Sequence, residues 1–374
     1  MQLGTYEYKT GEHLGAVPFP NSDFRSEMPG SRKQIESQST PPLAGLSKFP
    51  NYEKFYHCCN ETKSVFLDTL ILIHGKIETD KVTANMPNQK ALLKIVDPGA
   101  SYWVGNGFHV RNLFPSTGLE AEVNPFLLLD YAGPTSFPPT ALPQGVEEHP
   151  HRGFETVTIC YQGAVAHRDS SGNAGIIGPG DVQWMTAASG VVHEEKHEAE
   201  FARRGGVLEM IQLWVNLPRV HKMDPPRYQT ILSGAIPAVP VDDSGSVVRV
   251  IAGQFQGRLG AAQTFSPIQL LDLHWKAGAM ADLPADGNTS VFLLKGALLI
   301  NGTETCGGEA KLALFSSAGS TITLEALEDS TALVLNGQPI DEPVARQGPF
   351  VMNTRHELMQ AVEDYRAGKM GHLA

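Results

Sequence analysis

Over the first sixty positions the chain shows no sustained hydrophobic period; Pro18, Pro20, Pro29, Pro41, Pro42 and Pro50 interrupt a mixture of Gly, Ser and charge. Such a stretch buries too little apolar surface to offset the entropy of ordering it. Residues 1–90 are therefore expected to form a poorly ordered extension, with 65–73 as one candidate strand and Met86 as a candidate natural start. From Ala91 the pattern changes to short β-branched and aromatic runs at 92–96, 108–114, 126–131, 156–161, 164–168, 182–186 and 208–217. Turn signals separate them, among them Asp169-Ser170-Ser171-Gly172-Asn173 and Pro179-Gly180-Asp181. Strands repeating at about ten-residue intervals between Gly, Pro and Asn turns predict a β-sandwich or barrel.

Pro225-Pro226 reads as the start of a crossing to a second unit, whose clearest strands are 248–251, 270–275, 290–294, 297–300 and 331–335. Lys295-Gly296 and Asn301-Gly302 fit its hairpin turns. The last segment changes period again. Thr354 and Glu357 form a capping box, and Leu358, Ala361, Val362 and Tyr365 follow at helical spacing. The pattern predicts a packing helix over 354–367, with Gly368 ending it. The expectation is an all-β chain of two domains, 91–235 and 236–374, closed by a short C-terminal helix.

Bulk properties narrow the function. A length of 374 residues favours two cores over one. The formal net charge of -11 argues against a general grip on nucleic-acid phosphates. The longest apolar run, 65–73, contains Asp68 and is too short to span a bilayer. The four cysteines, Cys58, Cys59, Cys160 and Cys306, make no C-x-x-C pair, and the N-terminus shows no basic region leading an apolar run. A reducing, cytoplasmic location is the expectation.

The chemistry concentrates between His149 and Glu195. His149 and His151 are two apart, as are His193 and Glu195, and on a strand residues i and i+2 share a face. Two neighbouring strands could aim three imidazoles and a carboxylate at one point, a donor set that suits a divalent transition metal. The alternative is a group of inert, hydrogen-bonded polar residues at a barrel mouth. Glu155 reads either as a support for the ligands or as a surface-strand carboxylate, His167 as a structural histidine near the site, and His197, inside the charged run 194–200, as solvated. Trp184, Met185 and Cys160 read as core. His274 has no second histidine two residues away, so the second unit is expected to hold no metal.

The strings His149-Pro150-His151-Arg152-Gly153-Phe154-Glu155-Thr156-Val157, His167-Arg168-Asp169-Ser170, Pro179-Gly180-Asp181-Val182-Gln183-Trp184-Met185-Thr186-Ala187 and His193-Glu194-Glu195 closely resemble the pirin family of the cupin superfamily. Residues 212–218 and 348–354 extend the resemblance, which covers roughly 91–371. It implies a bicupin: two jelly-roll β-sandwich domains, the first binding one metal ion through His149, His151, His193 and Glu195. Fe(2+) is the expected metal, with Ni, Mn, Co and Cu also able to use these donors. Bacterial members resemble quercetin 2,3-dioxygenases, which implies a flavonol-like substrate, O2 as co-substrate and Glu195 as general base. Other members imply a different class, an iron-dependent redox-sensing regulator that binds a protein partner without turnover.

Overall fold

A computed structural model describes residues 88–115 and 119–373. The expectations for Val65 to Ile73 and for Met86 lie outside those residues. Among the described residues the strands pair antiparallel throughout the sheets, with three short α-helices. Four sheets pair off into two barrels, each made of a seven-stranded sheet facing a four-stranded one. In the first barrel the large sheet runs Arg227–Ile231, Val182–Thr186, Phe154–Gln162, Gly206–Asn216, Phe126–Phe137, Phe108–Phe114, Ser101–Val104. Its small sheet runs Gly145–His151, Val191–His197, Val165–Asp169, Ala174–Ile177. The second barrel repeats this order. Its large sheet runs Leu92–Val96, Lys311–Phe315, Asn288–Lys295, Ser330–Gly337, Ile268–Trp275, Val247–Ala252, Ala238–Pro240. Its small sheet runs Met280–Pro284, Thr321–Ala326, Ala297–Ile300, Glu304–Gly307.

The repeat exposes an exchange of chain ends. Leu92–Val96 pairs with Lys311–Phe315, taking in the second barrel the edge place that Arg227–Ile231 takes in the first. The expected boundary at residue 91 put this strand in the first domain; its hydrogen bonds go to the second. Gln89 bridges to Thr321, and the buried Lys90 ammonium donates to the Ser316 and Ser317 carbonyls. Residues 89 and 90 therefore belong to the second barrel and not to a poorly ordered extension. The other end returns the exchange. Phe350, Met352, Leu358, Ala361 and Met370 pack with Val192 of the first barrel. Arg152 and Asp364 form a buried ion pair at 2.9 Å. The C-terminal helix spans Arg355–Arg366 with both halves of the Thr354–Glu357 capping box formed. Ala367 caps it, and Gly368 follows in the left-handed region.

Strand alternation decides what each large sheet faces. Val157 and Ile159, Ile211, Leu213 and Val215 point to one side of the first large sheet; they meet Leu270, Phe292, Leu294, Leu312, Leu333 and Leu335 of the second. The two large sheets are thus packed back to back on the biggest apolar cluster, and Tyr161 crosses it to donate to Asp272 at 3.0 Å. Residues of the other parity fill the barrels. The second barrel's interior is mainly apolar, with Leu283, Ile322, Leu324, Leu298 and Ile300 projecting from the small-sheet strands and Gln269, Thr289 and Asn336 as buried polar residues of its large sheet. In the first barrel apolar residues fill only one end.

Among the described residues no helix is long and apolar enough to cross a membrane. Replacing Phe292, which meets Tyr131 edge-on across the joint at 5.2 Å, with Ala should lower stability by about 3–5 kcal/mol, read as a shifted urea midpoint.

Candidate metal centre

The polar end of the first barrel lies on its small sheet. The His149 and His193 strands are hydrogen-bonded neighbours, with His193 opposite His149 and Val191 opposite His151. A register shift between His193 and Glu195 interrupts the pairing, which resumes with Glu195 opposite Val146. On the other flank of the His193 strand, Glu195 faces His167 and His193 faces Asp169. The ring centroids of His149, His151 and His193 lie 4.2 to 4.9 Å apart. His149, His151 and His193 offer donor atoms within 4.8 Å of one another, and so do His167, His193 and Glu195. His193 is shared by both groups. His149 is half-buried and the other four are buried, so the cluster opens toward His149.

Hydrogen bonds orient the rings. His149 Nδ1 lies 2.8 Å from the Glu147 carbonyl, and His151 Nδ1 lies 3.3 Å from the Pro349 carbonyl. A carbonyl only accepts, so each Nδ1 carries the proton and each Nε2 is left with a bare lone pair. His193 Nδ1 lies 3.4 Å from His167 Nδ1, while its Nε2 is buried without a partner. Burial lowers the pKa of all three; the neighbouring imidazoles push His151 and His193 further down. Neutral rings with free lone pairs, one of them orphaned, fit a cation and are costly without one. Glu195 accepts from Gln183 Nε2 at 2.7 Å and Thr158 at 3.1 Å, both on Oε1. Tyr228 donates to Gln183 Oε1 at 3.0 Å and stacks on His167 at 4.5 Å. Phe154 and Trp214 wall the His151 side edge-on, and Arg346 lies over Trp214.

Two glycines are required by close approach. Gly153 has φ +87°, and a Cβ there would stand 1.9 Å from the Val351 carbonyl oxygen. A Cβ on Gly175, opposite His167, would meet the Tyr228 hydroxyl at 2.2 Å.

Other sequence expectations change. Glu155 alternates with Thr158 and Phe154 and so faces the joint between the barrels, where Thr186 donates to it at 2.6 Å; it does not support the cluster. His197 is buried, with Nε2 2.8 Å from the Gly107 carbonyl and its ring edge-on to Phe137 and Phe201, not solvated. Its odd place on a strand that turns 193 and 195 inward was the overlooked signal. Trp184, Met185 and Cys160 are buried. His274 pairs with Asp272 at 2.9 Å, and among the described residues the second barrel has no group of donors suited to a metal. His167, Asp169, Thr158, Gln183 and Tyr228 complete the site from neighbouring strands, and Pro349 does so from the turn between Ala345–Gln347 and Phe350–Met352.

The chain matches two family models: Pirin over residues 107–215 and the Pirin C-terminal cupin domain over 270–371. It is 51% identical over 282 residues to a Pseudomonas aeruginosa protein named provisionally as a quercetin 2,3-dioxygenase, covering 75% of this chain and 98% of that one. It is 37% identical to a tomato (Solanum lycopersicum) pirin-like protein, over 71% of this chain and 88% of the relative. The crystal structure of a quercetin 2,3-dioxygenase from Acinetobacter baumannii superimposes with a TM-score of 0.74 at 48% identity, covering 76% of this chain and all of that one.

Burial raises the Glu155 pKa to about 7 against the hydrogen bond from Thr186. Between its ordinary value and about 7 the folded state holds the extra proton, so stability falls as pH rises through that window. Glu155→Gln should therefore match the parent near pH 4.5 and exceed it by roughly 2–3 kcal/mol near pH 8, measured by urea unfolding at both pH values.

Proposed function

Because the chain belongs to the pirin family, and because three imidazole lone pairs converge beside a braced carboxylate, we propose that it is a metal-dependent dioxygenase that opens the ring of flavonols such as quercetin. His149, His151, His193 and Glu195 are the residues that would hold one divalent transition ion, Fe(2+) being the expected one. When bound, such an ion supplies Lewis acidity toward a substrate hydroxyl and the redox capacity that dioxygen chemistry needs. The converging imidazoles are the single observation that carries the proposal. The relatives named for quercetin dioxygenase activity supply the substrate class.

The chain's own residues divide the remaining work. Glu195 takes the flavonol hydroxyl proton, since Thr158 and Gln183 hold its Oε1 and leave Oε2 as the oxygen they do not engage. Removing that proton makes the flavonol electron-rich and ready for O2. Phe154 and Trp214 give an apolar aromatic wall next to His151, suited to a planar substrate and to keeping water out. Protein ligands from adjacent strands fix the place of reaction, while the ring-opening chemistry is that of substrate and dioxygen.

Iron-loaded protein prepared without oxygen should, on mixing with quercetin and air, bleach the flavonol absorbance with matching O2 uptake and carbon monoxide release. Firmly held iron with intact quercetin would overturn the dioxygenase reading in favour of a regulator. His151→Ala should lose stoichiometric metal, measured by elemental analysis; unchanged metal content would remove the ligand assignment. Glu195→Gln should lower kcat by roughly 100-fold or more, measured at metal content matched to the parent.

A further inference from the structure

The Asp169, His167 and His193 side chains form a line. His167 Nε2 lies 3.2 Å from Asp169 Oδ2, and His167 Nδ1 lies 3.4 Å from His193 Nδ1. His193 Nε2, the far end of the line, is buried with no partner. Asp169 is itself fixed: its Oδ1 accepts from the Ser171 and Asn173 backbone N–H groups at 2.9 and 3.0 Å, and Asn173 Nδ2 donates to Oδ2 at 3.0 Å. Tyr228 is stacked nearly parallel on the His167 ring, at an interplanar angle of 10°, and fits there because residue 175 is glycine. The His167 ring is thus held on its face and at both nitrogens.

We propose that Asp169 and His167 are positioning residues that set the tautomer of His193 and thereby its strength as a metal ligand. A carboxylate oxygen only accepts, so in the neutral ring the His167 proton sits on Nε2 and Nδ1 is an acceptor. That acceptor draws the His193 proton to Nδ1 and leaves Nε2 as a bare lone pair. Backbone carbonyls do this for His149 and His151; at His193 the facing strand supplies side chains in their place. The inference rests on the metal reading above only for what the lone pair is used for. The direction of the proton line does not depend on it.

Two substitutions at His167 separate this role from packing and from direct ligation. His167→Phe keeps the aromatic ring against Tyr228 and removes the acceptor. His167→Asn gives up the ring and places an amide oxygen where Nδ1 was. Cobalt(II) affinity, followed by visible absorption in competition with a chelator, should fall about 10–100-fold in His167→Phe and stay within about threefold of the parent in His167→Asn. Loss in both variants would make His167 a ligand, and retention in His167→Phe would make it a packing residue; either overturns the proposal. In metal-free parent protein, long-range 15N–1H NMR should show the His193 proton on Nδ1, and His167→Phe should move it to Nε2. A parent His193 protonated on Nε2 overturns the relay. If the parent binds no cobalt the metal reading fails, and the metal-free spectrum still decides the direction of the line. Far-UV circular dichroism establishes that each variant is folded before either measurement.

Discussion

An imidazole has two nitrogens, and the hydrogen bond made by one decides what the other can do. The polar end of the first barrel is organised around that constraint. His149 and His151 spend Nδ1 on carbonyl oxygens, and His193 directs Nδ1 to His167. Donor atoms of the three rings lie within 4.8 Å of one another, and His193 Nε2 is buried without a partner. The cost is real, since buried lone pairs without donors are destabilising. The first barrel carries it at one end and fills the other with Phe108, Phe137, Phe201 and their neighbours. The second barrel, with the same strand order, has no such histidine cluster among its described residues: Leu283, Ile322 and Leu324 lie on the strands that correspond to those of the histidines.

The same comparison explains why the barrels are joined as they are. A seven-stranded sheet that is apolar on both faces cannot leave one of them in water. Each barrel uses one face for its own interior and gives the other to its partner, so the joint becomes the largest core in the described chain. The exchanged ends reinforce it. Leu92–Val96 completes the second barrel, while the segment from Phe350 onward closes over the first. The Lys222 ammonium ties that closure to the site by donating to Gly153, Val351 and Asn216 oxygens, and its burial lowers its pKa to about 7.

Much of this was legible in the residues. Period-two spacing pointed to His149, His151 and His193, whose donor atoms lie within 4.8 Å of one another, while Glu195 is grouped with His167 and His193; turn-bounded β runs carried the sandwich class. Two local misreadings shared one cause. Glu155 has the opposite strand parity to Thr158, which the structure shows donating to Glu195, and His197 has the same parity as Glu195, so parity and not nearby charge decides where each side chain points. Other features had no local signal. Pro349 and Tyr228 reach the cluster from far along the chain. The departure of residues 89–96 to the second barrel is a long-range pairing that a strand's own composition does not encode.

These distant contributions bear on when the site comes into being. His151 gains its Nδ1 acceptor only after the C-terminal segment, 198 positions further on, has docked. Arg152, next to it, is neutralised by Asp364 of the same segment. Leaving that arginine buried and unpaired would be strongly unfavourable, so the docked segment and the ordered His149–Gly153 turn stabilise each other. A cation bound to the native cluster and not to the unfolded chain would stabilise both together. Affinity for such a cation would therefore be linked to the docking of the C-terminal helix through the backbone of residues 349–351, although no side chain of that helix lies in the cluster.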